Sequence, residues 1–569
     1  MSTSSELQQR SSQSEIHKRE FYEAPDVELA MDKNDMDKYD DESGGDGSEE
    51  VVLRKSFSLW SILGVGFGLT NSWFGISASL VTGLSSGGPM LVVYGIIIIA
   101  LISITIGVSL GELTSAYPHA GGQFWWSLKL APPKHKRFAA YMCGSFAYAG
   151  AVFTSASTTL SVASELVAMY QLTHEGFTPK RWQVFVTYLI LHFFLMQFNC
   201  YGRLLPLIAS SSLYISLISF IVITITVLAC SGGHFNSASF VFSHFYNETG
   251  WSSGGIAFIV SLINPAWSFS CLDCATHMAF EVEKPEKIIP TAILGTIAIG
   301  FITSFCYVIS LFFTIRDLQS VINSDGGFPV LVIYYQALNN SKAGAIVLGC
   351  LILFTSLGCV IASHTWQSRL CWSFSRDRGL PFSDLWSKVN SRMGVPLNAH
   401  LMSCAWVGII GFLYLASSTA FNSLITACIA FLLLSYSVPV ICLLIRKRQI
   451  AHGPFWFGKF GLLCNIALLL WTLFCVVFFS FPPYYPVDRN NMNYVCVVIV
   501  GYFLYSLIYW KFWASKDFHT GGGDDDENEE QDVSDEGLGE YEGSEDSQTH
   551  SSDIASTPQH IDFMEKPPK

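Results

Sequence analysis

Asp273 stands deep in the apolar stretch GGIAFIVSLINPAWSFSCLDCATHMAF, with Trp267 and Phe269 just ahead of it. An ionised carboxylate at mid-membrane depth costs about 2.5–3.5 kcal/mol on insertion scales. No Lys or Arg sits at similar depth in any apolar stretch of the chain. The expected partner of Asp273 is therefore a proton or a cationic ligand; a protonated side chain bonded to a neighbouring helix is the alternative.

A second stretch, SLWSILGVGFGLTNSWFGISASLVTGLSSGGP, places glycines 64, 66, 68 and 75 around Thr70, Asn71 and Ser72, followed by Trp73 and Phe74. So many glycines beside an amide side chain specify a helix poorly against lipid, and the stretch makes sense if its backbone opens onto a protein-lined cavity. Rings near a buried carboxylate suit a quaternary ammonium, which donates no hydrogen bond and gains about 0.5–2 kcal/mol from each aromatic face. Three faces and one carboxylate worth a few kcal/mol at an effective dielectric near 20 approach the roughly 8 kcal/mol of micromolar binding. The candidate binding residues are Asn71, Ser72, Trp73, Phe74, Gly75, Trp267, Phe269 and Asp273, with Tyr148 as an addition. In this reading the rings hold the cation, Asp273 supplies field, and Asn71 and Ser72 take a hydroxyl.

These residues need elements to carry them. Half of the 569 residues are apolar and only 14% are charged, a composition that requires a lipid bilayer. Twelve stretches reach the length of about 20 residues that spans a bilayer: 57–84, 89–111, 138–170, 182–200, 203–230, 255–280, 289–315, 343–370, 398–418, 422–445, 457–481 and 494–513. The net charge of -13 comes from the ends, since residues 1–50 hold 15 acids against 5 bases and residues 517–569 hold 17 against 2. Both ends are expected to be disordered acidic cytoplasmic tails around a transmembrane domain at 51–516. No cleavable leader is expected, because no apolar run follows a basic start.

With both termini cytoplasmic, the inner loops and helix ends carry 20 of the domain's Lys and Arg, and the outer ones only Lys180, Arg181, Arg316, Lys342 and Arg489. The sequons at Asn247 and Asn339 both fall on the outer face and are glycosylation candidates. The two interrupted stretches are the first and the sixth, corresponding positions if ten spans form two inverted halves of five, and such a pair points to a substrate site at the midplane.

Three ordered motifs carry a resemblance. GELTSAYPHAGGQFWW, PAWSFSCLDCATHMAFEVEKPEKIIP and RLCWSFSRDRGLPFS resemble the signatures of the amino acid-polyamine-organocation superfamily, in its fungal amino-acid and choline permease branch, and the similarity covers 51 to about 516. The resemblance implies an all-α fold of two inverted five-helix repeats with spans one and six unwound, plus two peripheral helices, working by alternating access. It implies choline as substrate, with ethanolamine or carnitine as further ones, in the plasma membrane. By position, Trp267 falls on an aromatic gate, Asp273 on an acidic site of cation-carrying relatives, and Asn71 to Gly75 on the unwound binding segment. The chain departs from the family pattern at His277-Met278-Ala279-Phe280-Glu281, where a second acid is common, and in lacking a span-five Lys, which puts proton coupling by that route in doubt. Proton symport and potential-driven uniport both stay open, and a potential near 100 mV is worth about 2.3 kcal/mol per charge.

His364 is expected to bond between helices, and Thr355 and Ser356 to join helices more than to hold sodium. Fifteen cysteines, mostly single within apolar runs, are expected as small buried hydrophobes. No HExxH or Walker A motif is present, so no enzyme activity, metal or cofactor is expected, and no nucleic-acid partner. An amino-acid or GABA permease and a non-transporting nutrient receptor are the competing functions.

Overall fold

The computed structural model describes residues 55–518 except 325–327 and 489–490. The acidic tails therefore lie outside the described residues, apart from Asp517 and Phe518. Helical segments occupy all twelve apolar stretches, and among the described residues nine helices are long and apolar enough to cross a membrane. The chain is an all-helical, polytopic membrane protein; its only β pairing among the described residues is two isolated bridges.

The first stretch splits into α1 (Leu59–Thr70) and α2 (Ser72–Ala78). Ser58 caps α1 by accepting the Ser61 N–H at 3.3 Å, and Asn71 breaks the helix with φ 28° and ψ 64°. Asparagine is among the few side chains that tolerate a positive φ. Helix α3 (Leu80–Ala116) carries a kink at Gly88, φ 67°, followed by Pro89, and this kink divides the end of the first stretch from the second. A short α4 (Gln123–Leu130) leads into α5 (Lys136–Thr173).

Helix α5 is 38 residues long yet falls outside the nine. Its SASTTLSVAS run lowers its hydropathy, and the packing explains why that is tolerated: α5 is enclosed by neighbours and needs small side chains more than greasy ones.

Next come α6 (Arg181–Leu195) and α7 (Leu205–Cys230). The sixth stretch divides into α8 (Gly254–Ser261) and α9 (Ile263–Ser268), then runs without α-helix to a 3₁₀ turn at Thr276–Glu281. Pro265 sits in the first turn of α9 and cannot donate to the carbonyl of Ser261, where α8 ends; a second, wider break follows Ser268. The remaining longer helices are α10 (Pro285–Thr314), α11 (Lys342–Arg376), α12 (Leu397–Ala416), α13 (Ser418–Ile445), α14 (Lys459–Phe478) and α15 (Val495–Tyr509).

Helix α5 packs on α4, α11, α12 and α13, α10 lies along α3, and α1 lies along α7. Helices α7, α14 and α15 turn exposed rows such as Ile218 and Ile225, Leu470 and Leu473, and Val497 and Leu504 outward, as helices facing lipid do. All fifteen cysteines are unpaired, and most are buried, as their sequence settings suggest.

Candidate functional site

Where the two broken helices meet, spans one and six touch through backbone. A Cβ on Gly75 would lie 2.9 Å from Ser268 Cα, so only glycine allows this approach. Above the contact opens a cavity of about 540 Å³, within the roughly 300–1,000 Å³ of small-molecule sites. Its wall is contributed by Ser79 and Thr82 from the end of the first stretch, Ser157, Ser161 and Ser164 of α5, Asn264 and Trp267 of α9, and Asn422 and Thr426 of α13. Phe479, Phe481 and Tyr484, from the loop after α14, complete it. None of the described residues lining it is charged. Hydroxyls, amides and rings are what a ligand meets there.

Trp267 lines this cavity, half-buried, and its indole N–H has no partner among the described residues. Phe269 lies one layer deeper, beside a cavity of about 30 Å³ shared with Ser270, Cys271 and Tyr436. The other candidates point elsewhere. Trp73 is buried with its indole N–H donated to Ser216 Oγ at 3.0 Å and its ring edge-on to Tyr307 at 5.3 Å, so it faces α7 and α10. Asn71 Oδ1 accepts from the same Ser216 hydroxyl at 3.3 Å, and Phe74 is buried in the core. Ser72 is buried, and its hydroxyl lies against Gly300. Tyr148 bonds Ser403 of α12 through its hydroxyl at 3.0 Å. Neither cavity is lined by any of these five.

Asp273 is fully buried and lines neither cavity. Tyr436 of α13 donates to its Oδ1 at 2.5 Å, Gln123 of α4 donates to its Oδ2 at 2.6 Å, and His277 Nε2 lies 3.2 Å from Oδ2. The absence of a Lys or Arg at its depth is thus met by neutral donors and an imidazole. Sequence reasoning missed all three partners. His277 was visible four residues on, but Gln123 and Tyr436 are 150 and 163 residues away and gave no signal.

The three buried glutamates are structural. Glu281 makes a two-point pair with Arg369 of α11, Nε to Oε1 at 3.0 Å and one amino group to Oε2 at 3.3 Å. Glu112 accepts from Arg448 at 2.8 Å and from the Phe457 N–H at 2.8 Å. Glu165 accepts from Ser356 Oγ at 2.9 Å, and Thr355 bonds its own helix at the Leu351 carbonyl, so both hydroxyls join helices or satisfy backbone. His364 is buried between His192 of α6 and His400 of α12, with ring centroids 5.1 and 6.1 Å away. Its nitrogens have no partner among the described residues, contrary to the expected helix-to-helix bond: the neighbouring histidines instead bond the Cys404 and Met196 carbonyls. The sequon side chains lie in loops: Asn247 closes a turn by accepting from Thr249 N and Oγ1, and Asn339 is exposed.

Residues 57–502 match the family model described as amino acid permease. The choline transporter of Saccharomyces cerevisiae is 71% identical over 511 residues, 90% of this chain and 90% of that one. The 7-keto 8-aminopelargonic acid transporter of the same organism is 36% identical, covering 79% of this chain and 90% of that one. A swainsonine transporter of Arthroderma benhamiae is 33% identical, covering 85% and 96%. The matched residues take in both broken helices and every residue lining the cavity, and the chain belongs to the amino acid permease family.

Proposed function

We propose that this protein is a choline permease of the plasma membrane, taking up the cation from the outer face by alternating access. The observation that carries the reading is the uncharged, ring-bearing cavity seated on the two helix breaks, in a chain 71% identical to a choline transporter. A trimethylammonium group has no N–H to donate, so a fixed anion is not required at the point of entry. The faces of Trp267, Phe479, Phe481 and Tyr484 and the oxygens of serines and asparagines offer dispersed negative potential. Trp267 is the floor of this site and Phe269 the next contact inward. Asn71 to Gly75 set the geometry of the break, with Trp73, Phe74 and Tyr148 bracing the helices behind it.

Twelve crossings follow if α5 and the divided first and sixth stretches are counted with the nine long helices. Two inverted five-helix repeats with α14 and α15 peripheral, and both termini cytoplasmic, complete the proposed architecture. The cavity then opens outward, because its lining comes from the outer ends of the spans. Orientation is checked by glycan addition: an endoglycosidase-sensitive mobility shift is expected, removed by Asn247→Gln, Asn339→Gln or both. Glycans at sites introduced into the KHKR loop instead would reverse the assignment.

The function is tested by radiolabelled choline uptake in cells lacking endogenous choline transport. Saturable uptake is expected, and Trp267→Ala at equal surface expression is expected to raise the KM about 2- to 30-fold, the loss of one aromatic face. Absence of choline uptake by the intact protein, with uptake of an amino acid in its place, would overturn the reading.

A further inference from the structure

The bonds around Asp273 fix how many protons the site holds. His277 Nδ1 lies 2.8 Å from the Ala120 carbonyl oxygen, which only accepts, so Nδ1 carries a hydrogen. His277 Nε2 lies 3.2 Å from Asp273 Oδ2. Without a further proton, that contact would set the lone pair of a neutral imidazole against an anionic oxygen. With one proton it closes, either as an imidazolium donating to a carboxylate or as a carboxylic acid donating to the imidazole. Both arrangements are net neutral, and both keep the bonds from Tyr436 and Gln123. Losing the proton leaves a net charge of minus one in a fully buried place, a costly state.

The partners belong to different elements. Asp273 and His277 ride on the segment after α9, the second of them in its 3₁₀ turn, whereas Tyr436 is on α13, Gln123 starts α4 and the Ala120 carbonyl is in the loop before it. The geometry points to Asp273 and His277 as a proton-binding pair, occupied while the sixth span is packed on α4 and α13 and emptied when that packing opens. This assignment rests on the transport reading above and gives Asp273 the coupling proton, not the organic cation, as its ligand. Tyr436 links the two, since it lines the small cavity beside Phe269 and donates to Asp273.

Once the segment separates from α4 and α13, water reaches both side chains and supplies an acceptor for the proton. The proton passes from Nε2 or Oδ2 to water, leaving a neutral imidazole and a carboxylate. Occupancy and conformation are thereby linked in both directions. The neighbouring titratable groups do not compete. Cys143 of α5, Cys271 and Cys274 are buried thiols facing Asp273. His119, in the loop before α4, accepts the Gly121 N–H on Nδ1; burial first, and then the Arg376 charge, lower its pKa to about 3. Lys129 also acts on His119, and Arg369 is engaged by Glu281.

The test uses the full chain in proteoliposomes with the potential clamped at zero by potassium and valinomycin. Choline entry is expected to carry protons inward and to be accelerated by an inward proton gradient. In His277→Gln, choline counterflow, which needs no net proton movement, is expected to persist, while proton flux and gradient acceleration fall to background. Choline-coupled proton flux absent from the intact protein, or retained in His277→Gln, overturns the assignment. If His277→Gln shows no counterflow, Tyr436→Phe, which deletes one donor, is expected to shift the pH midpoint of uptake, and an unshifted midpoint counts against it. A separate readout needs no substrate: infrared difference spectra of the purified protein from about pH 5 to about pH 8 should show a carboxyl–imidazole signal lost in both His277→Gln and Asp273→Asn. Its persistence in either variant overturns the proton site. Failed choline counterflow by the intact protein with that signal present would sink the substrate reading alone.

Discussion

Glu281→Ala is expected to destabilise the protein by about 3–5 kcal/mol, the cost of leaving a buried charge without its partner. The charge is the Arg369 guanidinium, whose side chain is 1% exposed and bonded through two nitrogens to the Glu281 carboxylate. A loss of this size is a large part of the 5–15 kcal/mol that usually holds a folded domain together. The same residue also ties down the start of the first span, since its carbonyl accepts the N–H groups of Ser56 and Phe57 at 3.1 and 3.0 Å. The measurement is the melting temperature of the purified protein with surface expression beside it. Both should fall for Glu281→Ala and recover substantially in Glu281→Ala with Arg369→Met, where no orphaned charge remains. Equal melting of the single variant and the intact protein would show that the pair contributes nothing.

Gly75→Val is expected to abolish uptake. The new Cβ would meet Ser268 Cα at 2.9 Å and Cβ at 3.0 Å, closer than such carbons approach, and Ser268 backbone cannot rotate away as a side chain tip does. Overpacking of this kind costs about 1–3 kcal/mol or more. Here the strain falls on the contact between the two broken helices that carry the cavity floor. Uptake per surface molecule should drop below a tenth of the intact protein's, whereas Gly255→Val, at the N-terminal end of α8, where the nearest heavy atom beyond its chain neighbourhood is that of Ser253 at 3.6 Å, should leave it near normal. Preserved uptake in Gly75→Val would mean that the two spans separate freely at this point.

Much of this architecture was legible in sequence because its causes are local. Apolar length marks a spanning helix, Asn71 among glycines marks the first break, and Asp273 within an apolar run marks the sixth stretch as interrupted. Facing direction was not legible where a break resets the helical phase. Trp73 looked like a companion of Trp267, yet the turn at Asn71 directs it to Ser216 and Tyr307 on the opposite side. Long-range partners left no trace at all: Tyr436 and Gln123 are ordinary residues until the fold brings them to Asp273. Phe479 and Phe481 likewise read as the end of a spanning stretch and Tyr484 as the loop after it, and only packing makes them a cavity wall.

The uncharged lining of that wall bears on the ions that surround any cell. Sodium and potassium greatly outnumber an organic nutrient cation, and a fixed carboxylate at the entrance would attract them as readily. Small inorganic cations hold their water tightly, and the rings and scattered dipoles here replace little of what they would give up. A methylated ammonium holds water weakly and gives up little on reaching an aromatic face. Exclusion of the background salt is then a matter of hydration, and it requires no filter of fixed size.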